Sequence, residues 1–148
     1  MKRIALIGCS QKKLGKNCPS TKFAAKDIYL GRNYLKAKDK GVRRFECEEH
    51  YYILSGKYGL LDSNDEITYY DTYLGHFTVN EKKKWAENVI EQLERIFDLS
   101  NTEFVIFAGD SYSKYIKKHL NCITLKFNGR HITFEIKEQL QNGNKHAQ

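Results

Sequence analysis

Tyr51-Tyr52-Ile53-Leu54-Ser55-Gly56-Lys57-Tyr58-Gly59-Leu60-Leu61, followed by Tyr69-Tyr70-Asp71-Thr72-Tyr73, is the stretch on which the reading of this chain turns. Four apolar or aromatic residues run into Ser-Gly, and a lysine and a tyrosine precede a second glycine. That is the pattern of a buried strand emptying into a tight polar loop. In open α/β sheets ligands bind beside such loops, where the carboxyl ends of the strands converge. The alternative is a plain strand-to-loop turn in which Tyr58 and Leu60 cap the core.

Working outward, Ile4 to Ile7 before Gly8 is a continuous apolar run, the signature of a central parallel strand covered on both faces. Glu103 to Ala108 and Cys122 to Phe127 read as a third and a fourth strand. A helix is expected from about Ala24 to Lys40, with a break or close contact at Gly31, because an interior glycine costs about 1 kcal/mol relative to alanine. Thr78 with Glu81 forms a capping box, and the helix it opens carries Trp85, Ala86, Val89, Ile90, Leu93, Ile96 and Phe97 on one stripe. Trp85 is read as core. Asp110 or Ser111 caps a helix running to about His119, and Ile132 to Leu140 is expected to be a final helix. Gly56 to Phe77 is read as a long loop, of the kind that is often functional unless a short helical turn accounts for its length. Strands alternating with helices predict a three-layer α/β/α sandwich around a central, mainly parallel four-stranded sheet. It is expected as one domain over residues 1–148, with a poorly ordered tail from about 141.

The chain has 148 residues, enough to bury roughly 70% of its unfolded surface without disulfide or metal. Lys and Arg number 25 against 18 Asp and Glu, a net charge of +7, which favours polyanionic partners, nucleic acid first. Cys9, Cys18, Cys47 and Cys122 share no zinc-site spacing and read as reduced thiols of a cytoplasmic protein. His50, His76 and His131 make no metal pattern, so no metal is expected. No segment has the ~18 apolar residues of a membrane span.

The four strand ends bring Cys9, Ser10 and Lys12, then Ser55, Lys57 and Tyr58, then Asp110 and Ser111, then Arg130 and His131 toward one rim. The turn Gly8 to Lys13 can hold a phosphate or carboxylate through backbone N–H groups and ammonium groups. Asp71, in its run of tyrosines, is expected to be partly desolvated and to act as a base or to stabilise a positive sugar-like transition state; alternatively it caps a turn. Tyr69, Tyr70 and Tyr73 stack on an unpaired base or roof the core. Cys9 has no histidine near it in sequence to make a nucleophilic pair.

Three segments carry a resemblance: Ile7-Gly8-Cys9-Ser10-Gln11-Lys12-Lys13; Ala25 to Gly31 with Tyr34 and Ala37; and Ile53 to Leu61 with Tyr70-Asp71. Together they resemble the uncharacterised domain family 6884, closely over about the first 75 residues and more loosely over Gly109 to Tyr112 and at Gly129. Leu54 to Leu60 is also similar to a segment of the peroxide-stress protein YaaA family, whose members bind DNA. Both families resemble the uracil-DNA glycosylase fold, whose relatives remove or exchange bases. The water-activating and histidine motifs of uracil glycosylases are not recognisable here.

The resemblance implies an N-glycosidase that removes a modified pyrimidine, such as 5-hydroxymethyluracil, from DNA or a nucleotide after base flipping. Asp71, Tyr58, Lys57 and Ser55 are then the expected catalytic group. Cys9, Ser10, Lys12, Lys13, Asp27, Tyr29, Gly59, Tyr70, Asp110 and Arg130 are the expected substrate contacts. No metal or redox cofactor is implied. The competing expectations are a non-catalytic DNA-binding protein of the YaaA type and a nucleoside-processing enzyme with no polymer contact.

Overall fold

The computed structural model describes residues 1–128 and 133–141. Its strands are β1 (Lys2–Gly8), β2 (Phe23–Ala24), β3 (Tyr52–Ser55), β4 (Gly59–Asp62), β5 (Glu66–Ile67), β6 (Thr102–Phe107), β7 (Asn121–Asn128) and β8 (Thr133–Gln141). Its α-helices are α1 (Ala25–Ile28), α2 (Arg32–Lys36), α3 (Val42–Arg44), α4 (Val79–Ile96) and α5 (Asp110–Ser113).

The four apolar runs of the sequence, β3, β1, β6 and β7, lie side by side in that order and all parallel. The sheet has six strands, not four, because each flank gains an antiparallel return: β4 folds back on β3, and β8 on β7. The architecture is mixed α/β, with helices and a mixed six-stranded sheet. β2 and β5 pair separately as a short antiparallel ladder.

Both faces of the sheet are covered, as continuous apolar strands require. Alternation sends Ile4 and Leu6 of β1 into one core, with Trp85, Val89 and Leu93 of α4 and Tyr112 of α5. It sends Ala5 and Ile7 into the other, with Ala25 and Ile28 of α1 and Tyr34 of α2. The connection after β1 therefore runs over one face and the connection after β6 over the opposite one. Since β1 and β6 are neighbours, their carboxyl ends form a topological switch point, where open α/β sheets leave a crevice.

The expected helix over Ala24 to Lys40 is interrupted at Tyr29, Leu30 and Gly31, then continues from α2 through a π turn (Ala37–Gly41) into α3. A Cβ on Gly31 would lie 2.5 Å from Ser10 Cβ, so the glycine permits the close approach expected there. Thr78 and Glu81 form the reciprocal capping box of α4 at 3.1 and 2.8 Å, and Trp85 is buried.

Two expected helices fail. The one after Gly109 is only the four residues of α5, with Gly109 as its cap, and neither Asp110 nor Ser111 caps it. The expected final helix is strand β8 from Thr133 onward. Glu135, Lys137, Glu138 and Gln139 are good helix formers, but pairing along β7 overrides that preference. The expected loop from Gly56 to Phe77 contains β4, β5 and a 3₁₀ turn (Leu74–His76).

At the β4 edge, the Gln92 side-chain amide accepts from Leu60 N at 2.9 Å and donates to Leu60 O at 3.3 Å. Gly59, at φ 73°, makes room: a Cβ there would lie 2.5 Å from Gln92 Oε1.

Candidate functional site

At the switch point lies a cleft of about 460 Å³, within the ~300–1,000 Å³ usual for small-molecule sites. Gly8, Cys9 and Ser10 from the end of β1 form one wall, and Phe107, Ala108 and Gly109 from the end of β6 form another. The start of α2, from Gly31 to Tyr34, and Phe127 of β7 close the sides, and Tyr112 of α5 reaches in. A Cβ on Gly109 would meet nothing within 4 Å, so this rim is open.

The first wall is stitched in place. Leu14 N donates to Ile28 O at 2.8 Å and Leu30 N to Lys12 O at 2.9 Å. Ser10 Oγ donates to Lys12 O at 2.8 Å and accepts from Gly31 N at 3.0 Å. The Ser10 hydroxyl thus fixes the loop. Cys9 N donates to Leu54 O at 3.0 Å, and its thiol sits 3.3 Å from the Tyr112 hydroxyl. Burial, with the Cys9 thiol beside it, raises the Tyr112 phenol far above its ordinary range, so it stays protonated and able to donate at any physiological pH.

The end of β3 is built differently. The Ser55 hydroxyl accepts from Lys57 N at 3.2 Å and Tyr58 N at 3.1 Å, and lies 2.9 Å from the Tyr70 hydroxyl. Tyr70 in turn lies 2.6 Å from the Tyr29 hydroxyl, and Trp85 Nε1 donates to Ser55 O at 2.7 Å. Ser55, Tyr29 and Tyr70 are all buried. Burial pushes the Tyr29 and Tyr70 phenols well above their ordinary range. The network is a clamp that holds the Ser-Gly-Lys-Tyr turn, and its tyrosines roof the core.

Lys13 is 8% exposed, its ammonium 4.5 Å from the centroid of Tyr70 and 3.2 Å from Gln11 O. Burial lowers its pKa, and the nearby Cys9 and Asp71 oppose that shift. Asp71 itself is exposed, not desolvated among the tyrosines: Tyr70 turns into the core, while Tyr69 is half-buried and Tyr73 exposed. Lys12 and Asp27 are also exposed, Asp27 lying 3.8 Å from Lys38.

Lys57, Tyr58 and Gly59 border a second, smaller hollow of about 280 Å³ with Phe77, Lys84 and Trp85. Tyr58 packs edge-on against Tyr70. Asp110 adjoins the cleft at Gly109 and pairs with Lys137 at 2.8 Å, which holds its carboxyl below the usual range. Arg130 lies outside the described residues.

Of the expected site residues, the structure brings Cys9 and Ser10 into the cleft and Asp110 to its edge, and places Lys57, Tyr58 and Gly59 elsewhere. Sequence reasoning missed Tyr112, Gly31 and Phe127. Gly31 announced itself as a glycine inside a helical pattern, whereas Tyr112 read as an ordinary helix residue. Among the described residues, no His, Cys, Asp or Glu cluster is arranged to hold a metal, and no helix is long and apolar enough to cross a membrane. The model of a family of unknown function, DUF6884, matches residues 4–144, and the chain belongs to that family. No curated protein and no solved structure gives a significant match.

Proposed function

We propose that this member of DUF6884 is an N-glycosidase that releases a modified pyrimidine, such as 5-hydroxymethyluracil, from DNA or a nucleotide. The observation that carries the reading is the cleft at the β1/β6 switch point, walled by Phe107, Tyr34 and Phe127, with Arg32 in its lining. We read the fold as a three-layer sandwich of the uracil-DNA glycosylase type, four parallel strands forming its centre.

In this mechanism the base leaves the stack and enters the cleft, its ring against the aromatic wall. Tyr112 donates to a base oxygen or nitrogen as the glycosidic electron pair moves onto the base. The sugar left behind is oxocarbenium-like, and a carboxylate at the rim stabilises it until water adds at C1′ and its proton passes to the base anion. Asp110 and Asp71 are the two carboxylates for that role; Asp110 is the nearer by sequence to the cleft wall. Lys12 and Lys57 hold flanking phosphates.

The test is incubation with single-stranded and duplex DNA carrying 5-hydroxymethyluracil or uracil, and with the corresponding nucleotides, free base being read by mass spectrometry. Release that falls at least ~10-fold in Tyr112→Phe, the loss of one hydrogen bond to a charged group at about 1.5–3 kcal/mol, supports the reading. Loss in Asp110→Asn or in Asp71→Asn identifies the carboxylate. A second reading, a non-catalytic DNA-binding protein of the YaaA type, is favoured by one observation: no carboxylate is among the described residues lining the cleft. It predicts binding of the same DNA with no base released.

A further inference from the structure

Beyond the cleft, α4 and the chain following α5 bring cations together around one ring. Lys83 Nζ lies 5.8 Å and Lys114 Nζ 5.5 Å from the ring centroid of Tyr115, which is only partly buried. Lys82 and Lys84 flank Lys83 in the opening turns of α4. None of Lys82, Lys83, Lys84 and Lys114 takes part in an ion pair among the described residues.

These lysines follow the first turn of α4, on the positive half of its dipole, where a cation gains nothing from the dipole. Cations gathered over a ring do suit a polyanion with aromatic bases: ammonium groups neutralise phosphates while the ring stacks on a base. The patch adjoins the cleft through α5. Tyr112 lines the cleft, Lys114 follows directly after α5, and Lys114 is one of the lysines that hold the Asp110 carboxyl low at the rim.

We propose that Tyr115, with Lys83 and Lys114, is a docking strip for single-stranded nucleic acid, seating the nucleotides next to the one whose base enters the cleft. This rests on the cleft being a base-binding site, and it adds that the natural substrate is a polymer and not a free nucleotide.

The strip is tested with a fluorescein-labelled 12-nucleotide oligothymidylate, its affinity measured from 50 to 300 mM NaCl for the wild-type chain, Lys83→Gln/Lys114→Gln and Tyr115→Leu. Urea midpoints show that each variant is folded. The double variant should reduce the slope of log affinity against log salt by about 1.4, two single-strand phosphate contacts at ~0.7 each. Tyr115→Leu should weaken binding about 5-fold or more, the loss of one stacked base. Base release from 5-hydroxymethyldeoxyuridine monophosphate, measured in parallel for the wild type and Tyr115→Leu, judges the cleft separately and should be the same in both. An unchanged slope in folded variants, or no oligonucleotide binding by the wild type at 50 mM salt, overturns the strip whatever the nucleotide assay gives.

Discussion

Two ends of neighbouring parallel strands, β1 and β3, face the same edge of the sheet and were assembled for opposite purposes. At β3, Ser55, Tyr70 and Tyr29 spend their hydroxyls on one another and on the Lys57 and Tyr58 amides, leaving a filled, dry clamp. At β1, Gly8, Cys9 and Ser10 form one wall of an open cleft. The more conspicuous sequence belongs to the clamp. The hydroxyls after β3 serve the fold because their hydrogen bonds are made with one another and with neighbouring amides, and that is a property of the partners.

The sharpest way to break this contrast is to empty the clamp. Tyr70→Ala removes a buried ring and strips partners from Tyr29 and Ser55; it should cost about 3–5 kcal/mol in urea unfolding. A loss below ~1 kcal/mol would mean that the clamp is not structural.

Alkaline pH probes the same phenols. Tyr29, Tyr34, Tyr70 and Tyr112 have folded pKa values raised above the ordinary 10.0, mainly by burial. Their stabilisation is fully present below pH 10 and is lost as pH rises through that value toward the folded pKa values, by about 1.4 kcal/mol per pH unit for each phenol. Lys13, lowered by burial, acts in the opposite sense: its penalty eases as pH rises through its folded pKa. Four phenols outweigh one lysine, so the urea midpoint should fall steeply above pH 10 and less steeply in Tyr70→Phe; a flat profile contradicts the burial of the network.

Gly31→Ala tests the wall of the cleft. Its new Cβ meets Ser10 Cβ at 2.5 Å, and the shift should cost about 1–3 kcal/mol in the urea midpoint while disturbing the β1 loop. The smallest effect belongs to Gly109→Ala, whose Cβ meets nothing within 4 Å. Stability should stay within about 0.5 kcal/mol, the range of surface substitutions, while any activity of the cleft falls. Equal activity in Gly109→Ala and wild type would place the site elsewhere.

Much of the fold was legible because its signals are local. The runs at Ile4 to Ile7, Tyr52 to Leu54, Phe104 to Phe107 and Cys122 to Leu125 lie in strands because a two-sided core needs largely apolar residues. Thr78 and Glu81 cap α4 through neighbouring atoms alone. β8 was not legible: Glu135, Lys137 and Glu138 suit a helix, and only the presence of β7 makes them a strand. The site was legible as an edge of the sheet but not as a place along it. Strand order decides where the crevice opens, and Tyr112 belongs to it only because β6 lies beside β1.

The Gln92 amide bound to both polar groups of Leu60 has a consequence for how copies of this protein meet. An edge strand normally offers its free N–H and C=O groups to any passing strand, and that invitation is the start of aggregation. On β4 a side chain already occupies the place of the next strand at Leu60. On β8, Glu135, Lys137 and Glu138 place charged side chains along the border. One border of the sheet carries a mimic of the next strand and the other a run of charged groups, and both make a poorer template for a passing strand.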